Sequence, residues 1–299
     1  MALISYLQIE GLTKSYGDKI LFEDVTFGVN QGDKIGLIAK NGSGKTTMLR
    51  ILSGLEDKDS GSVTYRSGIR VAYLEQKPQF DTDDTPLSLC KGLVPAEEAN
   101  EWDADDRERQ VLTQLGITDL NEPVSNMSGG QQKRIALARI VLQKPDLIIL
   151  DEPTNHLDIG VIEWLENWLK KSKVTLLMVT HDRYFLDRVC NKILEIDMRH
   201  VFSYDGNFDY YLRKRQERID ALTGELAKIK NTLRKEQDWM NRQPQARAGK
   251  AKFRIDAFHD LKKRSQVDYT ERNMAIDVKS SYIGSKIFEA EGITKRYGI

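Results

Sequence analysis

The chain has 299 residues, which is long enough to bury a full hydrophobic core in one large domain or two smaller ones. Its net charge is zero, but residues 213–264 hold 16 Lys and Arg against 7 Asp and Glu, so an anionic partner is expected at that segment. The chain has two cysteines without metal-ligand spacing, no apolar run of the ~20 residues that span a bilayer and no N-terminal signal segment. These features favour a cytoplasmic protein over a membrane-spanning one.

The first thirty residues predict a small antiparallel sheet. Residues 3–9 and 20–29 alternate roughly between apolar and polar side chains, and a turn is predicted at Gly17-Asp18 between them. Tyr16 lies in that turn. An aromatic residue at the end of a strand has two interpretations, a packing residue or a flat platform on which a nucleobase stacks, and both stay open at this point.

Residues 34–52 have the order of a phosphate-binding loop: a hydrophobic strand, a glycine-containing loop and the start of a helix. The predicted nucleotide contacts are Ala39, Lys40, Asn41, Gly42, Ser43, Gly44, Lys45, Thr46 and Thr47. The two glycines allow successive N–H groups to face a phosphate, Lys45 adds a positive charge, and Thr46 can bind magnesium. Ala39 replaces the usual first glycine, and only a small adjustment is expected from it. The alternative is a glycine-rich turn that happens to carry a lysine.

The segment after this loop predicts a helix over 46–52 and strands near 61–65 and 69–75. The second strand leads into a loop that presents Gln76 and is closed by a proline two residues later. Residues 77–122 hold 12 Asp and Glu against 4 Lys and Arg and few strand formers, which predicts a helical subdomain with a solvated acidic face.

A second anion site is predicted at the start of a later helix. Its residues are Ser128, Gly129, Gly130 and Gln131, which precede an apolar pattern with helical spacing. A Ser-Gly-Gly sequence at this position offers free N–H groups and a hydroxyl.

Two apolar strands then end in polar side chains. Residues 147–150 lead into Asp151 and Glu152, and residues 174–179 lead into a segment that contains His181. The carboxyl ends of parallel strands open on a ligand cleft. There, Asp151 is expected to hold magnesium, Glu152 to deprotonate the water that attacks a terminal phosphate, and His181 to hydrogen-bond that phosphate. The alternatives are solvated acids at a strand end and a structural histidine.

Taken together, these motifs resemble the ATPase domain of the ABC superfamily over residues 1–206. The resemblance implies an α/β P-loop NTPase fold with a RecA-like core, a small antiparallel β subdomain and a helical subdomain, and it implies ATP and Mg²⁺ as ligands. It also implies that Tyr16 stacks on adenine and that Gln76 senses magnesium and the attacking water. Residues 155–158 would meet a partner domain. Two domains would pack head to tail, so that the signature at 128–131 serves the nucleotide of the other domain.

Residues 207–280 predict a basic linker built as a helical hairpin. Apolar side chains repeat every seven residues along its first helix, as in a coiled-coil seam about 40 Å long, at Leu212, Ile219, Leu226, Leu233 and Met240. A break at 243–249 and a second helix from about Lys250 would complete the hairpin. Its predicted basic tip consists of Arg242, Arg247, Lys250, Lys252 and Arg254. An inert coiled-coil spacer and a nucleic-acid probe both fit this pattern.

Residues 291–298 repeat the pattern of residues 10–17, which predicts that residues 281–299 begin a second ABC domain. Tandem ABC domains joined by a basic hairpin resemble the ABC-F family. Members of that family are largely ribosome-associated ATPases whose linker reaches toward transfer RNA.

The resemblance implies an ATP-hydrolysing protein that acts on the ribosome as a translation factor or ribosome-protection ATPase. Its expected partners are ribosomal RNA or transfer RNA and a second ABC domain, supplied in cis or by a second copy. A DNA-handling ATPase, whose basic coiled coil would grip branched DNA, and the ATPase subunit of a transporter are the rival hypotheses. Only weak turnover is expected of the chain by itself, because the phosphate loop and signature of one domain do not face each other.

Overall fold

The computed structural model describes residues 4–95, 101–197, 200–241 and 252–265. Two compact units divide between residues 217 and 218. The strands are β1 (Ser5–Tyr16), β2 (Lys19–Asn30), β3 (Lys34–Ala39), β4 (Ser60–Tyr65), β5 (Val71–Leu74), β6 (Leu147–Asp151), β7 (Thr175–Val179), β8 (Lys192–Asp197) and β9 (His200–Asp205). The helices are α1 (Lys45–Leu52), α2 (Pro86–Cys90), α3 (Glu101–Gln114), α4 (Gly129–Gln143), α5 (Ile159–Lys171), α6 (Arg183–Val189), α7 (Phe208–Asn241) and α8 (Lys252–Ser265).

The first unit begins with a three-stranded antiparallel sheet in the order β2-β1-β4. Tyr16 pairs with Lys19 across the predicted two-residue turn. Strand β1 is longer than predicted, because register shifts of the bulge type interrupt the alternating pattern without ending the strand. Gly61 has a φ of 90°, and a Cβ there would lie 2.4 Å from the carbonyl oxygen of Gly11, so this close pairing of β1 and β4 requires glycine.

The second sheet has six strands in the order β5-β6-β7-β3-β8-β9, and all neighbours are parallel except β8 and β9. Every residue of β6 and β7 is buried, as expected for a parallel sheet that is covered on both faces. Alternate residues of β6 contribute to two hydrophobic cores. Leu147 and Ile149 pack in the core that contains α1, whereas Ile148 and Leu150 pack in the core that contains α4, α5 and α6.

The acidic segment folds into α2 and α3, which pack against α4 through buried apolar residues such as Cys90, Leu112 and Ile135. Thr85 caps α2 and Pro86 occupies its first turn, where the missing N–H costs nothing. The predicted P-loop α/β fold, with its antiparallel β subdomain and its helical part, is therefore confirmed.

Helix α7 extends over 34 residues and crosses the division between the two units. Its first turns belong to the first unit, where the hydroxyl of Tyr211 and the Nε of Arg215 donate to Oε1 of Glu195 at 3.2 and 2.6 Å. In the second unit, α8 begins at Lys252. No helix among the described residues is long and apolar enough to cross a membrane.

Parts of the predicted linker lie outside the described residues. These parts are the break at 243–249 and the tip residues Arg242, Arg247 and Lys250. The predicted start of a second domain at 281–299, with its repeat at 291–298, also lies outside them. The antiparallel packing of the two linker helices stays a prediction.

Candidate nucleotide-binding site

The loop between β3 and α1 turns around two glycines. Gly42 and Gly44 have φ values of 75° and 90°, in the left-handed region that residues with a Cβ disfavour. Gly44 is also the N-cap of α1, so the first free N–H groups of that helix border the loop. Lys45 folds back over the loop, where its ammonium group donates to the carbonyl oxygens of Ala39 at 3.0 Å and Lys40 at 3.3 Å.

Ala39 fits this loop without strain. It is the last residue of β3 and pairs with Ile196 of β8, so its backbone is that of a strand, which any L-residue can adopt. The side chain of Lys40 is exposed and lies 4.0 Å from a carboxylate oxygen of Asp197. The hydroxyl of Ser43 is buried and has no hydrogen-bond partner among the described residues.

One cavity of about 420 Å³ gathers most of the residues predicted for the site. Its walls come from the end of β1, the phosphate loop, the segment after β5 and the carboxyl ends of β6 and β7. The predicted residues that line it are Tyr16, Asn41, Gly42, Gly44, Lys45, Thr46, Thr47, Gln76, Asp151, Glu152 and His181. Residues up to 165 positions apart in the sequence therefore meet at one edge of the sheet.

Asp151 is fully buried, and neither of its carboxylate oxygens accepts a well-formed hydrogen bond within the described part of the chain. Burial raises the pKa of Asp151, while the Thr46 hydroxyl and the ammonium groups of Lys133 and Lys45 favour the ionised form. A buried carboxylate whose oxygens are both unused is costly unless a ligand binds it. Because hard divalent cations prefer oxygen ligands, these oxygens and the nearby Thr46 hydroxyl suit Mg²⁺.

Glu152 and His181 lie against each other. The backbone N–H of His181 donates to Oε2 of Glu152 at 3.2 Å, and the Nε2 atom of His181 lies 3.3 Å from Oε1. The Glu152 side chain is buried, whereas that of His181 is 62% exposed. Burial raises the pKa of Glu152, and the imidazole and the N–H of His181 act in the opposite direction. A carboxyl group with a raised pKa beside an open cavity is suited to accepting a proton.

Tyr16 and Gln76 complete the lining of the cavity. Tyr16 is 53% exposed, its hydroxyl donates to Glu56, and the ammonium group of Lys14 lies 5.3 Å from its ring centroid. These two contacts fix the ring while leaving much of its surface free. Gln76 is exposed in the segment that follows β5, so its amide can reach a ligand.

None of the signature residues at 128–131 lines this cavity. Ser128 caps α4 by accepting from the N–H of Gln131 at 3.3 Å, and Oε1 of Gln131 accepts from the N–H of Ser128 at 2.9 Å. This reciprocal pair is a capping box, which stabilises the helix start. Ser128 and Gly129 are exposed, whereas Gly130 packs against the carbonyl oxygen of His156, where a Cβ would lie 2.6 Å away. The helix start is therefore open to solvent, and none of its residues lines the cavity beside the phosphate loop.

Sequence reasoning missed one residue beside the site. Lys133 is 1% exposed, and its ammonium group donates to the carbonyl oxygen of Glu152. Lysine is rarely so buried. A signal was available, because Lys133 shares a helical face with Leu137 and Ile140, both of which are buried.

The fold and the cavity define a P-loop domain that binds a nucleotide at the carboxyl edge of a parallel sheet. A family model described as ABC transporter matches residues 22–155, and a second model with the same description matches residues 194–277. The chain therefore carries an ATP-binding domain of the ABC transporter family.

Similar proteins support this assignment. The ABC transporter ATP-binding protein YfmR of Bacillus subtilis is 36% identical over 98% of this chain and 52% of its own length. The energy-dependent translational throttle protein EttA of Mycobacterium tuberculosis is 33% identical over 95% of this chain and 57% of its own length. The solved structure of a dimeric ATP-binding cassette in a post-hydrolysis state, bound to ADP and Pi, shares the fold with a TM-score of 0.57 and 22% identity, over 67% of this chain and 98% of that one. The chain spans about half the length of the curated relatives it matches.

Proposed function

We propose that this chain hydrolyses ATP in a site that a second ABC domain completes, and that it uses this cycle on the ribosome. The observation that carries the proposal is the separation of the two anion-binding elements. The phosphate loop, Asp151, Glu152 and His181 share one cavity, whereas the exposed start of α4 at Ser128 lies outside it.

Substrate binding uses the phosphate loop. The N–H groups around Gly42 and Gly44 and the ammonium group of Lys45 hold the phosphates, and the exposed ring of Tyr16 stacks on the base. The oxygens of Asp151, the Thr46 hydroxyl and the Gln76 amide would hold Mg²⁺. When bound, this ion neutralises the charge that develops on the phosphates.

Hydrolysis requires a base and a group that contacts the terminal phosphate. Glu152 accepts a proton from the attacking water, which its raised pKa favours. The hydrogen bond from the N–H of His181, together with the 3.3 Å contact between its Nε2 atom and Oε1, fixes the direction of the carboxylate. The side chain of His181 is 62% exposed, so its Nε2–H can turn from Glu152 and donate to the terminal phosphate.

The completed site needs a partner domain, because Ser128 and Gly129 are presented to solvent. We place the ABC domain at residues 1–206, the linker at 207–280 and the start of a second ABC domain at 281–299. A second copy of the chain could supply the same surfaces as a domain in cis.

Two observations support the ribosome as the target. The similar protein EttA is described as a translational throttle protein. Residues 213–264 carry an excess of nine basic residues, as expected of a segment that tracks a phosphate backbone. Branched DNA offers the same phosphate chemistry, and a transporter partner agrees with the description of the family model.

Co-sedimentation with ribosomes tests this proposal. It is carried out with the 299-residue chain and with the complete gene product where that is longer. Glu152→Gln should bind ATP without hydrolysing it and should pellet with ribosomes, whereas Lys45→Ala, which is defective in ATP binding, should remain in the supernatant. Binding should weaken steeply with salt. If Glu152→Gln with ATP stays free at moderate salt, or binds branched DNA more tightly at matched salt, the ribosome is not the target.

A further inference from the structure

One face of α4 contacts the segment that follows β6. Gly130, Lys133 and Arg134 are spaced i, i+3 and i+4 and so lie on one side of the helix. Gly130 packs against the carbonyl of His156, and Arg134 lies 3.8 Å from a carboxylate oxygen of Asp158. Lys133, between them, donates to the carbonyl oxygen of Glu152.

This segment holds an unusual backbone. Glu152 and His156 have φ values of 48° and 65°, which place two residues with a Cβ in the left-handed region. Such conformations persist only where the surroundings hold them. Lys133 contacts the carbonyl of Glu152, and Gly130 contacts the carbonyl of His156.

The ammonium group of Lys133 is almost completely buried. Burial lowers its pKa, while the carboxylates of Glu152 and Asp151 favour its charged form. A buried charge is costly unless it is paired and hydrogen-bonded, so a lysine at this position calls for a function.

We propose that Lys133 is a positioning residue for Glu152, which fixes the carbonyl of the base and so joins the base to the signature helix. The inference rests on the proposed role of Glu152. It goes further in assigning a residue of α4 to the site of its own domain. A partner's nucleotide would meet the exposed start of α4. Its binding there would change the position of Glu152 through Lys133.

Replacing Lys133 with methionine tests this assignment. Lys133→Met keeps the length and packing of the side chain and removes only the donor. Lys34→Met is the matched control, because the ammonium group of Lys34 also donates to backbone carbonyls, those of Leu169 and Lys170, but at the amino end of β3. ATP hydrolysis is measured at saturating ATP and Mg²⁺, and ATP affinity is measured separately with a fluorescent analogue.

We expect Lys133→Met to lower kcat about tenfold or more, because small displacements of a reacting group have effects of this size. Its ATP affinity should stay within about twofold of the unmodified chain, and Lys34→Met should retain kcat. In a Glu152→Gln background, Lys133→Met should cause no further loss of kcat, since a residue that acts through another has no effect once that group is gone.

An unchanged kcat in Lys133→Met, or an equal loss in the Glu152→Gln background, would overturn the inference. If Glu152→Gln itself retains full kcat, the proposed role of Glu152 fails first, and the two failures are thereby distinguished. Should Lys133→Met not be recovered folded, Lys133→Leu replaces it, since leucine also lacks a donor, and the same dependence on Glu152 is required.

Discussion

The phosphate loop and the signature are both helix starts, yet the molecule treats them differently. At the phosphate loop, Gly42 and Gly44 adopt left-handed backbone conformations, and Lys45 supplies a charge. Carboxylates at the end of β6 line the same cavity. At the signature, Ser128 and Gln131 satisfy each other's N–H groups through a capping box, and the first turn of α4 holds no acidic residue. The first has most of the groups that a nucleotide needs, whereas the second has only an exposed anion-binding end. The difference indicates two half-sites that depend on each other across a domain boundary.

The largest effect is expected from removing the base of the half-site that contains the phosphate loop. Glu152→Gln should lower the hydrolysis rate by about 10²–10⁴-fold, the range for a general base, while ATP binding is retained. Single-turnover assays with labelled ATP measure the rate, and equilibrium dialysis measures binding. Comparable rates in Glu152→Gln and the unmodified chain would mean that another group activates the water.

The second prediction tests whether the two half-sites work between copies. Lys45→Ala removes the charge at the phosphate loop and should weaken ATP binding about 10- to 100-fold, as expected for a lost charge-assisted hydrogen bond. Gly129→Asp places an acid at the open helix start, where there is room for a side chain and where the helix dipole favours it, but where it would repel a phosphate.

Each variant alone should be nearly inactive, and the mixture should be more active than the sum of its parts. A mixed pair contains one intact site, built from the signature of the Lys45→Ala copy and the loop of the Gly129→Asp copy. Hydrolysis is measured against total protein concentration. Activity of the unmodified chain that is fast and independent of concentration would contradict the head-to-tail model.

The half-site that contains the phosphate loop was largely predictable from the sequence, because its groups follow local patterns. An apolar run that ends in Asp151 and Glu152, and a glycine loop before Lys45, each show the element and the function in a few residues. Only a small adjustment was expected at Ala39. The loop sequence could not show the reason, which is that Ala39 pairs with β8 in a strand conformation that needs no glycine.

The contacts around the signature were less predictable. The capping box of α4 is local, but the link from Lys133 to Glu152 joins residues 19 positions apart in two different elements. A lysine among apolar residues does not identify its own acceptor. The position of the signature outside the cavity was expected only from the resemblance to ABC domains, because no local rule relates it to a distant loop.

A third and smaller effect concerns the rim of the half-site that contains the phosphate loop. Tyr16→Ala should weaken ATP binding by roughly 1–3 kcal/mol, the range for the loss of one aromatic stack on a base. Tyr16→Phe keeps the ring and loses only the contact with Glu56, so it should bind within about twofold of the unmodified chain. Titration with a fluorescent ATP analogue measures both. If the two variants bind equally well, the ring is not a platform for the base.

The smallest expected effect is on stability, and it has opposite signs at two glutamates. Burial raises the pKa of Glu152, so its ionised form disfavours the folded state, and that cost grows as the pH rises from the unfolded-state pKa of about 4.5 through the folded-state pKa. Glu152→Gln should therefore raise the Tm at pH 7 in the absence of ATP. The gain should disappear below pH 4.5, where the carboxyl group is protonated in both states.

Glu166 is the matched control for this sign. Burial acts to raise its pKa, but the hydrogen bonds from Lys170 and Arg188 prevail and lower it, so its ionised form stabilises the fold above the unfolded-state pKa. Glu166→Gln should lower the Tm slightly at pH 7, since a partly exposed pair contributes little. Calorimetry of both variants between pH 4 and 8 measures the two slopes. Parallel slopes would show that Glu152 carries no burial cost, and its suitability as a base would then have to come from His181 alone.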